Sequence, residues 1–228
     1  AAAPPGRRLR GAQAEALIAT ARNTLAVRLR ETDPATYANP DEVWLFSLDR
    51  GVDVAIFGMI PERRLPIESY FGYVAARNRV PIAYGGGWVF FDRCEIGVNL
   101  FETFRAGESA FVFAQILRCY RAHFGVNVFE VDPYQFGADN EEAIQSGAFW
   151  FYHRLGFRQL DATLRRTADR EALRLSTEAG RRTPARMLRR FAGGRLVLAA
   201  DLDTPPSAAL LTGRANAAAP DLREVSLA

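Results

Sequence analysis

Apolar positions along this chain change period near its middle. Leu17, Ile18, Ala21, Leu25 and Leu29 recur at helical spacing and predict an amphipathic helix over residues 11–30. Asp33-Pro34 and Asn39-Pro40 then break the pattern. Short β-rich runs follow at 43–48 and 52–59, joined at Asp49-Arg50-Gly51, a hairpin turn by composition. Runs at 70–77 and 82–91, joined by Asn78-Arg79-Val80-Pro81, and a run at 95–101 after Asp92-Arg93 complete an antiparallel meander. Within it, Gly85-Gly86-Gly87 predicts a bulge, with a close approach by a ligand or another strand as the alternative.

From residue 107 the apolar spacing is that of a helix, and Phe111, Ala114, Leu117 and Tyr120 form the expected buried stripe of a helix over 107–123. Gly125 lies where a glycine commonly ends such a helix. A buried strand is expected over 126–131, then a polar loop from Asp132-Pro133 to Asn140. A second helix over 141–155 has acids in its first turn, where the helix dipole favours them. Further helices are predicted over 163–178 and 184–191, and a strand over 196–200. The order of elements is that of an α/β fold with a mixed, mainly antiparallel central sheet flanked by helices. It divides into an N-terminal helical segment (1–40), a core (41–160), an arginine-rich helical extension (161–204) and an Ala/Pro-rich tail or linker (205–228).

Composition narrows the chemistry. The 228 residues are 49% apolar and 24% charged, enough for one large globular domain with appendages. All 29 basic residues are arginine, so a Schiff-base lysine, a P-loop lysine and a lysine general base are excluded. Two cysteines and two histidines are too few for a closed structural zinc site or an iron-sulfur cluster, and no metal site is predicted. Cys94 and Cys119 are expected to be buried free thiols, which points to a reducing, cytoplasmic setting. No uncharged stretch approaches the roughly 18 to 20 apolar residues that span a bilayer. Residues 1–10 lack the apolar run of a secretory signal, and the absent initiator methionine suggests a piece of a longer chain.

The net charge of +3 is unevenly spread, because residues 158–200 carry 11 arginines against 4 acids. The expected reading is a solvated arginine-rich face, since no aromatic residue interleaves over 158–190 to stack on bases. The alternative is contact by the 158–195 arginines with nucleic acid, an acidic partner or cofactor phosphates.

Two stretches carry a family resemblance. Leu100-Phe101-Glu102-Thr103-Phe104-Arg105-Ala106-Gly107-Glu108-Ser109-Ala110 resembles the strand end and pyrophosphate loop of the GNAT superfamily of acyl-coenzyme A N-acyltransferases. Phe151-Tyr152-His153-Arg154-Leu155-Gly156-Phe157 resembles that family's terminal helix signature. The resemblance implies a GNAT-like fold over 41–160, acetyl-coenzyme A or another acyl-coenzyme A as donor, and a small-molecule or peptide amine as acceptor. It places Arg105, Ala106, Gly107, Ser109 and Ala110 around the donor pyrophosphate, where helix N–H groups and small side chains admit an anion. Glu108 and Ala106 depart from the family's glycines, and Glu108 either faces the pyrophosphate or turns outward to cap its helix.

Direct attack of an amine on a thioester needs a base for the amine and an acid for the leaving thiolate. The resemblance gives the acid role to Tyr152, a phenol of ordinary pKa near ~10. Glu102 is the favoured base, with Glu130 and Asp132 as alternatives. Glu95 falls on the opposite strand face from Glu102 and is expected to be solvated. Asn99 is a candidate for orienting substrate, and Gln145 stands where the family often has a donor-binding asparagine. His123 is expected to be a charged residue at a helix C-terminus, not a proton carrier. Two other readings stand beside acyl transfer: an aminoacyl-tRNA-dependent transferase of related fold, and a noncatalytic GNAT-like binding module.

Overall fold

In a computed structural model the described residues are 5–30, 32–101 and 108–199. They form a mixed α/β fold with a large, mostly antiparallel sheet flanked by helices, divided into two compact units, one up to Val126 and one from Asn127.

In the first unit, β1 (Gly6–Leu9), β2 (Ala38–Ser47), β3 (Val52–Met59), β4 (Ser69–Arg77), β5 (Val80–Phe90) and β6 (Arg93–Leu100) pair antiparallel with their sequence neighbours. The meander is therefore as the alternation predicts. β1 is an addition, since the short Gly-Arg-Arg-Leu run offers no alternation to find it by. Its Arg8 guanidinium donates to the Asp41 carbonyl at 2.7 Å.

Side-chain alternation gives this sheet two faces. Val43 and Phe57 point to the face covered by α1 (Ala12–Val27), packing with Ile18, Ala21 and Leu25. A single turn, α2 (Asp33–Thr36), connects α1 to β2 where Asp33-Pro34 interrupts the pattern, whereas Asn39-Pro40 lies within β2. The opposite face is covered by α3 (Ser109–Phe124). There the Tyr120 hydroxyl donates to the Phe71 carbonyl at 2.7 Å, and the Phe124 ring lies 4.4 Å from that of Phe71. Gly125, in the left-handed region, ends α3 and donates to the Arg121 carbonyl.

The buried stripe of α3 differs from the expected one. Leu117 and Tyr120 are buried as expected, but Val112, Phe113, Ile116 and Cys119 are buried too, while Phe111 and Ala114 are only partly so. Phe111 instead lies under the Arg50 guanidinium, 4.5 Å from its ring centroid. Apolar residues occupy 11 of the 16 positions on this helix, so the apolar letters alone do not choose between adjacent stripes.

The glycine triplet does not make a bulge. Gly85, Gly86 and Gly87 pair in unbroken register with Tyr73, Gly72 and Phe71 on one side and Val98, Gly97 and Ile96 on the other. Close approach is the reason for them. A Cβ on Gly85 would stand 2.5 Å from the Gly97 carbonyl oxygen and 2.7 Å from the Tyr73 hydroxyl, and one on Gly86 would run into the Tyr70 ring.

In the second unit, β9 (Leu196–Ala199) pairs antiparallel with both β7 (Val128–Val131) and β8 (Arg158–Gln159). β7 and β9 are the strands expected over 126–131 and 196–200, and β8 is an addition. Asp132 accepts from the Tyr134 N–H and opens a 3-10 turn over Pro133–Phe136. The expected helix over 141–155 is two helices, α4 (Glu141–Ser146) and α5 (Ala148–Arg154). Gly147, at φ 67°, adopts the left-handed conformation that closes α4, and its N–H turns back to that helix's last carbonyls. α6 (Ala162–Thr177) is capped by the Asp161 carboxylate, which accepts from the Thr163 and Leu164 N–H groups. α7 (Ala185–Phe191) brings Phe191 to stack on Phe149 of α5, with ring centroids 4.6 Å apart.

Candidate functional site

The expected site residues fall in both units. Glu102, Arg105, Ala106 and Gly107 lie outside the described residues. Of the loop signature, Glu108, Ser109 and Ala110 are described. Glu108 is the residue from which α3 starts: its carbonyl accepts from the Val112 N–H at 3.0 Å, and its side chain does not cap the helix. The carboxylate forms an ion pair with the Arg77 guanidinium at the end of β4. That pairing corrects the capping expectation for the Glu108 side chain. Ser109 is half-buried and Ala110 exposed.

On β6, Glu95 is half-buried and Asn99 exposed. Cys94 and Cys119 are both buried free thiols, as expected, and burial pushes the Cys119 thiol up to about 12. His123 departs from its expected role. Its ring sits 4.2 Å from that of Trp44 and 4.6 Å from that of Phe124, and burial pulls its pKa down to about 4. Its buried Nε2 has no hydrogen-bond partner among the described residues. An aromatic enclosure outweighs the modest attraction of a helix C-terminus, so His123 is neutral at pH 7.

In the second unit Tyr152 sits on α5 and is 3% exposed. Its ring meets Phe136, Phe151 and Phe157 at centroid separations of 6.2, 5.1 and 5.8 Å. Burial raises the phenol's pKa well above its ordinary value, so at neutral pH the group is a proton donor only. His153, beside it, is buried with Nε2 3.4 Å from an Asp169 carboxylate oxygen. Its pKa is lowered by burial first and by Arg158 next, against the pull of Asp169.

The alternative bases are committed elsewhere. Glu130 is 2% exposed and takes an ion pair from Arg195 at 3.0 Å. Asp132 is spent on its turn. Gln145, on α4, is exposed and lines a cleft of about 410 Å³ with Trp150, Arg154, Arg182, Leu175 and Leu188. Sequence reasoning missed this cleft, because α4, α5, α6 and the segment before α7 contribute to it from positions far apart in the chain. Among the described residues no group of His, Cys, Asp and Glu is arranged to hold a metal ion, and no helix is long and apolar enough to cross a membrane.

No family model and no curated protein matches this chain. Among solved structures it is similar to a mutant of a cAMP-binding acyltransferase from Mycobacterium smegmatis, at 12% identity and a TM-score of 0.35. The match covers 86% of this chain and 56% of that one, so this chain spans little more than half of that protein's length.

Proposed function

We propose that this chain is an acyltransferase that moves an acyl group from an acyl-coenzyme A to an amine. The observation that carries the reading is the opening of α3. Strand β6 leads through residues 101–108 into a helix of 16 residues whose first side chains, Ser109 and Ala110, are small. Glu108, the carboxylate immediately before that opening, is matched by Arg77. The N–H groups of a helix's first turn, with small neighbours, suit a pyrophosphate, and the pairing lowers the repulsion an unmatched carboxylate would exert there.

In this reading Ser109 and Ala110, with Arg105, Ala106 and Gly107 ahead of them, hold the donor phosphates, and Gln145 adds an amide contact. Glu102 takes a proton from the attacking amine. As the new C–N bond forms and the C–S bond breaks, Tyr152 gives its proton to the departing thiolate and recovers one from water. The thioester supplies the activated acyl group, and the protein contributes position and proton transfer.

The test is calorimetric titration with acetyl-coenzyme A and with free coenzyme A. Micromolar binding of either supports the reading, and no binding by the folded chain overturns it. An aminoacyl-tRNA donor in place of acyl-coenzyme A would instead show as salt-sensitive tRNA retention.

A further inference from the structure

The cleft in the second unit is built around a buried carboxylate. Glu171, on α6, is only 2% exposed, which is costly for a charged group unless it is paired and hydrogen-bonded. The Arg181 guanidinium meets it at two points, Nε to Oε1 at 3.2 Å and Nη2 to Oε2 at 3.1 Å. The Thr183 hydroxyl donates to the same carboxylate at 3.3 Å and accepts from the Trp150 indole N–H at 3.0 Å. One carboxylate thus fixes the irregular segment between α6 and α7 on both sides of Arg182 and ties it to α5.

What the arrangement presents to solvent is positive charge. Arg181 is matched by Glu171 and by Glu178, at 2.7 Å from the latter. Arg154 and Arg182 also line the cleft, and among the described residues neither has a carboxylate partner. Two exposed guanidiniums without carboxylate partners, bordering a cleft of about 410 Å³, a volume within the small-molecule range, favour a small ligand that carries negative charge. A phosphate monoester carries about −1.5 to −2 near pH 7, and arginine's planar fork of N–H donors matches its oxygens. Leu175, Leu188 and Trp150 give the cleft apolar lining for the body that bears the phosphate.

We propose that this cleft binds the phosphate monoester of a small molecule, with Arg154 and Arg182 holding the phosphate and the Glu171–Arg181–Thr183 cluster holding the wall in place. The inference does not rest on acyl transfer. The phosphate has two possible sources, a separate phosphorylated small molecule or the ribose 3′-phosphate of a coenzyme A.

The experiment is calorimetric titration of the chain with phenyl phosphate at fixed ionic strength, with benzoate as the singly charged control. Phenyl phosphate is expected to bind at least tenfold more tightly than benzoate. Arg154→Ala and Arg182→Ala are each expected to weaken it tenfold or more without changing the thermal melt, since both side chains are exposed. Equal binding of the two probes, or variants that bind phenyl phosphate like the parent, overturns the proposal. Competition identifies the source: coenzyme A displacing phenyl phosphate where dephospho-coenzyme A does not points to the coenzyme, and displacement by neither points to a separate ligand. A chain that binds phenyl phosphate but no coenzyme A keeps this inference and loses the acyltransferase reading.

Discussion

Arg77, the last residue of β4, forms an ion pair with Glu108, the residue from which α3 begins. The side chains are 37% and 42% exposed, so the pair adds little to stability, under about 1 kcal/mol. Its expected consequence is electrostatic. Arg77→Ala should leave the thermal melt almost unchanged while weakening acetyl-coenzyme A binding severalfold, because Glu108 then faces the loop unmatched. Arg77→Ala combined with Glu108→Gln should recover most of that loss. Calorimetry on the three proteins checks it, and unchanged affinity in the single variant would show that the pair has no bearing on the donor.

His123 makes the first unit sensitive to acid. Unfolded, the imidazole titrates at its ordinary value near 6.5; folded among Trp44, Phe46 and Phe124 it titrates near 4. The unfolded chain therefore binds the extra proton first as pH falls. The contribution of neutral His123 to stability is complete above about pH 6.5 and is lost progressively down to about pH 4, by up to roughly 3 kcal/mol. His123→Phe fills the same aromatic enclosure without a titrating group. Urea unfolding at pH 7 and pH 4.5 should show a smaller acid loss in that variant than in the parent; equal losses would place the sensitivity elsewhere.

Adjacent glycines of β5 should respond differently to alanine. At Gly85 the new methyl meets the Gly97 carbonyl, which is backbone, and the Tyr73 hydroxyl, which already donates to that carbonyl at 2.8 Å. Neither can yield without breaking the sheet, and about 1 to 3 kcal/mol of destabilisation is expected. At Gly86 the nearest atoms all belong to Tyr70, a half-buried ring able to swing aside. Gly86→Ala should cost clearly less in a urea melt, and the reverse order would refute this account of the triplet.

Much of the first unit was legible because its strands have one face under α1 and the other under α3, and the turns between them carry their own signals. Asn78 and Arg79 sit at positive φ between β4 and β5, in the Asn-led turn that separates the two runs. Local pattern failed where a tertiary partner decides the outcome. β1 and β8 are too short to show a period, and β8 exists through its pairing with β9. The break at Gly147 was readable in principle, since a glycine seven residues after the Asn140 cap marks a helix end, but continuous apolar spacing across it favoured one helix. Of the candidate site, Tyr152 and Gln145 came from a motif, whereas the Arg154 and Arg182 cleft depends on a buried Glu171 that no spacing identifies.

Tyr152 allows a test that separates chemistry from packing. Its burial keeps the phenol protonated through neutral pH, so removing the hydroxyl removes a proton donor and not a charge. Tyr152→Phe preserves the ring among Phe136, Phe151 and Phe157. If Tyr152 protonates the thiolate, turnover should fall by roughly 10²-fold with acetyl-coenzyme A affinity nearly unchanged. Unchanged turnover would return the residue to the core.

The Glu171–Arg181 pair predicts an ordering of variants. Arg181→Ala leaves a buried carboxylate with the Thr183 hydroxyl and a distant Arg174, 3.9 Å away, in place of a two-point guanidinium contact. Removing one member of a buried pair costs more than removing both, because the desolvated charge is left behind. Arg181→Ala should therefore melt lower than the parent, Arg181→Ala with Glu171→Gln should melt higher than Arg181→Ala alone, and Glu178→Ala, which touches only the exposed side of Arg181, should shift the melt least. The same series reports on the cleft wall. Glu171→Gln keeps a side chain of the same length but loses the charge that pins Arg181, so in a chain that still folds it should loosen phenyl phosphate binding by releasing the segment that carries Arg182, although neither Arg154 nor Arg182 is substituted. A Glu171→Gln variant that melts and binds like the parent would mean that the segment between α6 and α7 is held by something other than this carboxylate.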